Sequence, residues 1–142
     1  MPFLEVKGVT KIFRTSYFGG GGTVAVEDAS FSIEGDKPKI ITLAGESGSG
    51  KTTMAKLILR LEKPTSGSIL WKGKNLEKLS RKESSIYIKE VQGVFQDPYA
   101  AFNPLKKADH LLDEAINKMC SSVSKDERVK MKRKVLESMQ LS

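Results

Sequence analysis

Residues 45–53, GESGSGKTT, have the types and spacing that bind phosphate. Glycine lets the main chain turn tightly and bring its N–H groups close to a polyphosphate. Lys51 is placed to reach the terminal phosphates, Thr52 to offer its hydroxyl to Mg²⁺, and Thr53 to donate to a phosphate nearer the sugar. The loop residues expected to wrap the phosphates are Gly45, Glu46, Ser47, Gly48, Ser49 and Gly50. The sequence therefore predicts a site for a nucleoside triphosphate, ATP with Mg²⁺; the alternative is a flexible Gly/Ser loop without a ligand.

A strand and a helix must flank this loop if it is to hold a phosphate. Residues 39–45, KIITLAG, are apolar on both faces, which predicts a buried parallel strand. From Lys51 to Leu61 the apolar residues recur at helical spacing, and Pro64 is predicted to stop that helix. The start of such a helix presents unsatisfied N–H groups to the same anion.

The first 98 residues are predicted to be mixed α/β and the rest helical. Strands are predicted over 3–9, over 24–33, up to about Trp71, and over 91–96. Ser80 and Glu83 have the spacing of a capping box, as do Ser124 and Glu127, and each pair predicts the start of a helix. Between them, one apolar stripe predicts an amphipathic helix that Pro104 could start, with the members Ala108, Leu111, Leu112, Ala115, Ile116 and Met119.

The composition is that of a soluble chain with anionic partners. The 24 Lys and Arg against 17 Asp and Glu give a formal net charge of +7. No apolar stretch approaches the roughly 20 residues that span a bilayer, and the start has no basic region of a signal peptide. Cys120 is the single cysteine, which excludes an internal disulfide and a cysteine zinc cluster and favours a reducing, cytosolic compartment.

Four segments together resemble the nucleotide-binding subunit of an ABC transporter: VTKIF at 9–13, GESGSGKTT at 45–53, PTSGSILWKGKNL at 64–76 and VFQDPYAAFNP at 94–104. The resemblance implies an α/β fold, a P-loop NTPase core with an N-terminal antiparallel β subdomain over 1–98 and the beginning of a helical subdomain over 99–142. By the same resemblance Phe13 stacks on adenine. Tyr17 and Phe18 are rivals for that role, and Phe13 as a core residue is the alternative.

Gln96 is similar to the family's Q-loop glutamine. The resemblance implies that it is a ligand of Mg²⁺ or of the attacking water, and that Lys51 and Gln96 are the catalytic candidates of this chain. The segment 95–104 is most similar to the oligopeptide, dipeptide and nickel importers. Tyr99 and Phe102 are then candidates for contact with transmembrane permease subunits, although they could also belong to the core.

The importer branch implies further partners and a location. These are a second ATP-binding subunit, the permeases, indirectly a solute-binding protein, and a position on the cytoplasmic face of the membrane. No nucleic acid is expected.

Three family motifs are not found in the sequence: the LSGGQ-type signature, an apolar strand ending in Asp-Glu, and the switch histidine. LSRKE at 79–83 lacks the glycines of a signature, and His110 is interpreted as a surface or packing residue. We therefore expect an N-terminal fragment of a parent of about 250–330 residues, a length that the resemblance implies and domain sizes permit, with an incomplete central sheet. The fragment is expected to bind ATP without turnover.

Two other functions remain open from the sequence. The positive charge and the basic stretch KDERVKMKRK at 125–134 would suit a soluble P-loop NTPase acting on nucleic acid, although its acidic residues favour a solvated helix face. The second is a naturally truncated protein that binds nucleotide without hydrolysing it.

Overall fold

The computed structural model describes residues 1–14, 21–95, 107, 109–120 and 123–140. The chain divides into two compact units, Met1–Gln92 and Gly93–Ser142.

The first unit is built on a four-stranded antiparallel sheet. Its strands stand in the order β2-β1-β3-β4. Their bounds are Pro2–Arg14 for β1, Gly22–Glu34 for β2, Ser66–Trp71 for β3 and Lys74–Asn75 for β4. β1 is thus longer than the predicted strand 3–9, because it pairs with β2 on one side as far as Arg14 and with β3 on the other.

A β-bulge in β1 sets which side chains face the core. The register slips between Val6 and Val9 against β2, and again between Lys7 and Thr10 against β3. Gly8, inside the slip, has φ +55, a conformation that glycine adopts without a Cβ penalty. The extra residue places Val6 and Val9 both in the core, with 2% and 0% of their surface exposed.

Helix α1, Lys51–Ile58, packs Met54 and Leu57 into the core beneath the sheet. It ends before the predicted Leu61, and the cause is local. Arg60 has the left-handed φ of +59, its N–H donates to Leu57 at 3.1 Å, and the N–H of Leu61 donates to Lys56 at 2.8 Å. This pair of bonds is a Schellman motif, which turns the chain out of the helix before Pro64 is reached.

Helix α2, Arg81–Glu90, follows a 3-10 turn, Leu76–Lys78, and begins with the predicted capping box. The Glu83 carboxylate accepts from the backbone N–H of Ser80 at 2.9 Å and from Lys74 Nζ at 2.5 Å. The hydrogen bond from Lys74, followed by those from Ser80, lowers the pKa of Glu83 to about 2.

Tyr87 joins α2 to both the sheet and α1. Its ring meets Trp71 edge to face, with 5.4 Å between the ring centroids. Its hydroxyl donates to the carbonyl oxygen of Ile58, the last residue of α1, at 2.5 Å. One of the carbonyls left unpaired at the end of α1 is thereby satisfied, and burial raises the pKa of Tyr87 to about 12.

Two predicted strands are wrong. Residues 38–46 form no strand, and Ile40, Ile41 and Leu43 are 98%, 48% and 44% exposed. Residues 91–95 form no strand either, and Val94 is fully exposed. A parallel strand is buried only between neighbours that hydrogen-bond to it, and within the described ranges no strand pairs with either segment.

The second unit contains two helices, α3 at Asp109–Met119 and α4 at Lys125–Ser138. The predicted capping box of Ser124 and Glu127 opens α4. Lys132 links the helices, since its Nζ donates to Asp109 at 3.0 Å and to Asp113 at 2.6 Å. These bonds raise the pKa of Lys132, and the bond from Lys132 lowers that of Asp109.

The apolar sides of these helices are only partly covered. Of the predicted stripe on α3, Ile116 is buried, and Ala108 lies outside the described residues. His110 is partly exposed, with its Nε2 3.0 Å from Glu114. No helix in the described part of the chain is long and apolar enough to cross a membrane.

Candidate functional site

Residues 45–50 form a turn that leads directly into α1. The N–H of Ser49 donates to the carbonyl oxygen of Glu46 at 3.2 Å, which closes the turn. Gly50, with φ +87, is the N-cap residue, and its carbonyl oxygen accepts from Met54 at 2.8 Å. The chain can pass from a turn into a helix through this left-handed residue because glycine has no Cβ.

Gly50 also brings the loop against β2. A Cβ at this position would collide with the carbonyl oxygen of Ala25 and would lie 3.2 Å from Cγ2 of Val26. Only a glycine allows the two backbones this close approach. The loop is therefore positioned by the antiparallel sheet as well as by its own helix.

The N-terminus of α1 is left open for an anion. Within the described chain no side chain caps this end, and its first turn carries no acidic residue. The N–H groups of a first helical turn have no partner inside the helix, and the helix dipole adds partial positive charge there. Thr52 is exposed and Thr53 is half-buried in this turn.

Lys51 folds back over the loop. Its Nζ donates to the carbonyl oxygens of Gly45 at 2.8 Å and Glu46 at 2.5 Å, and to Oγ of Ser49 at 3.1 Å. An ammonium has three N–H donors, so these three oxygens satisfy it. The positive charge of Lys51 is therefore held against the loop.

A cavity of about 560 Å³ lies between the loop and β2. Its wall is formed by β2 residues within 24–31, by Leu43 and Ala44, by residues 48–51 and by Met54. One side is mainly apolar strand and the other is the glycine loop with Lys51. The cleft therefore presents apolar side chains of β2 and polar groups of the loop to the same space.

Four of the nine sequence-predicted phosphate ligands line this cavity, and two more contact Lys51. Gly48, Ser49, Gly50 and Lys51 line the cavity, and Gly45 and Glu46 contact Lys51. Ser47, Thr52 and Thr53 belong to the same turn and first helical turn but are not in the cavity wall.

Among the other predicted site residues, the structure describes Phe13. Phe13 lies near the end of β1 opposite Thr23, 38% exposed, beside the wall rather than in it. Gln96 falls outside the described residues, and so do Tyr17, Phe18, Tyr99 and Phe102.

Sequence reasoning missed the wall that β2 provides. Val24, Ala25 and Val26 were predicted as strand residues only, and nothing local in VAV indicates a loop packed against it. The contact joins residues about 25 positions apart. A glycine at the end of the loop is the one signal that could have pointed to a close backbone approach.

Comparison with known proteins decides the family. The profile of the ABC transporter family matches residues 26–142. A putative peptide import ATP-binding protein of Brucella ovis is 36% identical over 141 residues, covering 99% of this chain and 42% of the relative. The chain belongs to the ABC transporter family.

Two further ABC relatives agree with this result. The oligopeptide transport ATP-binding protein AppF of Bacillus subtilis is 39% identical over 80% of this chain and 36% of its own length. The nickel import ATP-binding protein NikE of Shigella boydii is 30% identical over 99% of this chain and 52% of its own length. The chain thus spans about half the length of these relatives or less.

Solved ABC structures share the fold. A dimeric ATP-binding cassette bound to ADP and Pi is 23% identical, with a TM-score of 0.66 over 98% of this chain and 58% of that one. Part of an ABC transporter complex of Clostridium perfringens has the same identity and TM-score, over 99% of this chain and 51% of its own. The predicted family and the α/β fold class with an open sheet are confirmed.

Proposed function

We propose that this chain is the ATP-binding part of an importer ATPase subunit that energises uptake of peptides or a similar small solute. One observation carries the proposal: Lys51 and the uncapped start of α1 converge on a single glycine turn. This arrangement fits a polyphosphate, because it offers backbone N–H groups, a helix dipole and an ammonium to one anion.

Nucleotide binding would exchange the partners of Lys51. In the structure its three N–H groups donate to two carbonyl oxygens and a hydroxyl. A terminal phosphate would replace neutral acceptors by charged ones, and charge-assisted hydrogen bonds are shorter and roughly twice as strong. The gain in binding comes from that difference, with little rearrangement of the loop.

A magnesium ion would be held mainly through the nucleotide. The described residues contain no cluster of three or more His, Cys, Asp or Glu that could enclose a metal. Mg²⁺ commonly keeps several waters and binds one or two protein oxygens together with substrate phosphates. Thr52, an exposed residue on the first turn of α1, is proposed as one such ligand through its hydroxyl, and Gln96 is proposed as a second. Bound there, the ion would neutralise charge on the phosphate oxygens.

We propose that Phe13 stacks on the nucleotide base and that Gln96 positions the attacking water. Two observations support the role of Phe13. Its aromatic ring is partly exposed, and it lies at the end of β1, next to the strand that forms the cavity wall. Stacking on an aromatic face tolerates every base, so ATP and GTP would bind with similar affinity. Hydrolysis also needs a positioned water and charge stabilisation, which in this family involves a partner subunit, so this chain alone would not turn over.

Transport would require other chains. Relatives named for peptide and nickel import support permease partners and a place on the cytoplasmic face of the membrane, and the dimeric cassette supports pairing with a second ATP-binding subunit. A solute-binding protein would act on the permeases rather than on this chain.

Calorimetry with ATP and Mg²⁺ tests the nucleotide site. Lys51→Ala should weaken ATP about 10- to 100-fold, because a hydrogen bond to a charged group is worth about 1.5–3 kcal/mol. Lys56→Ala is the matched control, an exposed lysine at the other end of the same helix, and should bind as the unmodified chain does. Equal ATP affinity in a folded Lys51→Ala chain would refute the phosphate site.

A further inference from the structure

Lys11 lies against the ring of Phe13. Its Nζ is 4.8 Å from the ring centroid, within the roughly 6 Å over which a cation is attracted to an aromatic face. The two residues are two positions apart on β1, and this distance shows that their side chains lie on the same face of the strand. One side of the ring is thus occupied by a cation, and 38% of Phe13 is still exposed.

The ammonium group of Lys11 is fixed by the chain that follows α1. Nζ donates to Oε2 of Glu62 and to the carbonyl oxygen of Lys63, each at 2.8 Å. Only 13% of the Lys11 side chain is exposed. Next to it, Thr65 donates its N–H to Thr10 and accepts from the N–H of Ile12. Lys11 is consequently a rigid support for the ring rather than a mobile surface lysine.

Helix α1 therefore serves both ends of the proposed nucleotide site. Its first turn, at Lys51, carries the phosphate donors, and the turn after its last residue holds Lys11 through Glu62 and Lys63. The helix is 8 residues long, which at a rise of about 1.5 Å per residue makes it about 12 Å long.

We propose that Lys11 is a positioning residue for the base of the nucleotide. It holds the Phe13 ring in one orientation and leaves the opposite face for a purine. The cation also draws π-electron density toward its own side, so the free face becomes less negative and stacks better on an electron-rich base. This inference rests on the proposed function, because it takes Phe13 as the base-stacking residue.

Tripolyphosphate has the phosphates of ATP but no base. Measuring the affinity for each therefore distinguishes a role of Lys11 at the base from a role at the phosphates. Lys11→Met keeps an unbranched side chain, one heavy atom shorter, and removes its charge. It should weaken ATP about 2- to 5-fold, the size of an exposed cation–π contact, and leave tripolyphosphate unchanged. Lys11→Arg, which keeps the cation, should bind ATP within about 2-fold of the unmodified chain. Phe13→Leu should weaken ATP at least as much as Lys11→Met.

Lys72→Met is the matched control. Lys72 also contacts aromatic rings, at 5.7 Å from Phe3 and 5.1 Å from Trp71, and pairs with Glu90 at 2.7 Å, but it lies beside the other end of β1. Its loss removes the same kinds of contact, so a general loss of stability would lower ATP affinity in both variants. We expect unchanged ATP affinity in Lys72→Met.

Several outcomes would overturn the role of Lys11. One is unchanged ATP affinity in Lys11→Met while Phe13→Leu weakens ATP, which leaves the proposed function intact. Another is an equal loss for ATP and tripolyphosphate, or no rescue by arginine, either of which indicates a structural role. Failure of the unmodified chain to bind ATP at all would remove the proposed function and this inference with it.

Discussion

The strands of the first unit and the apolar segment 38–46 contain similar residues but differ in burial. Val6 in β1 is 2% exposed and Ile69 in β3 is 3% exposed, whereas Ile40 in the segment before the loop is 98% exposed. β1 has hydrogen-bonded strands on both edges and α1 against the core, while residues 38–46 pair with no strand in the described part of the chain. Apolar residues can therefore be buried, but in the first unit they are buried where neighbouring strands pair with them.

Replacing an isoleucine by alanine, once in the sheet and once in segment 38–46, tests this contrast and has the largest expected effect on stability. Ile69→Ala should lower the free energy of unfolding by about 2–5 kcal/mol, because it leaves a cavity in the core. Ile40→Ala should change it by no more than about 0.5 kcal/mol, as expected for an exposed side chain. Urea unfolding followed by circular dichroism measures both. Similar losses in the two variants would mean that residues 38–46 are packed in solution.

A second test concerns the one point where the loop meets the sheet. Gly48 and Gly50 both have left-handed backbone, with φ +82 and +87, but only a Cβ at Gly50 would collide with β2. Gly48→Ala should cost the left-handed penalty of about 1–2 kcal/mol, and Gly50→Ala should cost more.

Calorimetry with ATP sharpens the comparison of the two glycines. Because the collision is with Ala25 in the cavity wall, Gly50→Ala should also weaken ATP more than Gly48→Ala does. Equal effects of the two variants on stability and on affinity would show that the loop does not rest on β2.

Tyr87 gives the smallest expected effect and tests how α2 holds the end of α1. Tyr87→Phe should cost about 0.5–1.5 kcal/mol, the net value of a hydrogen bond, because the Ile58 carbonyl loses its donor. The folded pKa of about 12 lies above the reference value of 10.0. Neutral Tyr87 therefore contributes its stability in full below pH 10.0, and that contribution is lost as the pH rises toward 12.

Unfolding measured from neutral pH to pH 12 compares the two chains. The difference in stability between the unmodified chain and Tyr87→Phe should shrink across the alkaline range. A constant difference at every pH would contradict the burial of the hydroxyl.

Features with short-range causes were predictable from the sequence. Ser80 with Glu83, and Ser124 with Glu127, form their capping boxes as expected, because each box closes within three residues. The glycine loop and the start of α1 follow equally from local residues. The end of α1 did not, since the left-handed Arg60 replaces the glycine that normally marks a Schellman motif.

Features with distant causes were not predictable. The contact of Lys11 with Glu62 spans 51 positions, and neither residue carries a pattern that names the other. The two apolar segments were predicted as strands because periodicity reports which residues can be buried, not which strands will pair with them. The cavity wall on β2 was not predicted for the same reason, because it depends on residues that are distant in the sequence.

Trp71 makes the two units optically distinguishable. It is the single tryptophan of the chain, 5% exposed, with its ring against Tyr87 inside Met1–Gln92. Indole fluorescence thus follows the melting of the sheet alone, whereas far-ultraviolet circular dichroism also records α3 and α4 in the other unit. If the two signals change together, the chain unfolds in one cooperative step; if they separate, the helical pair melts independently of the first unit.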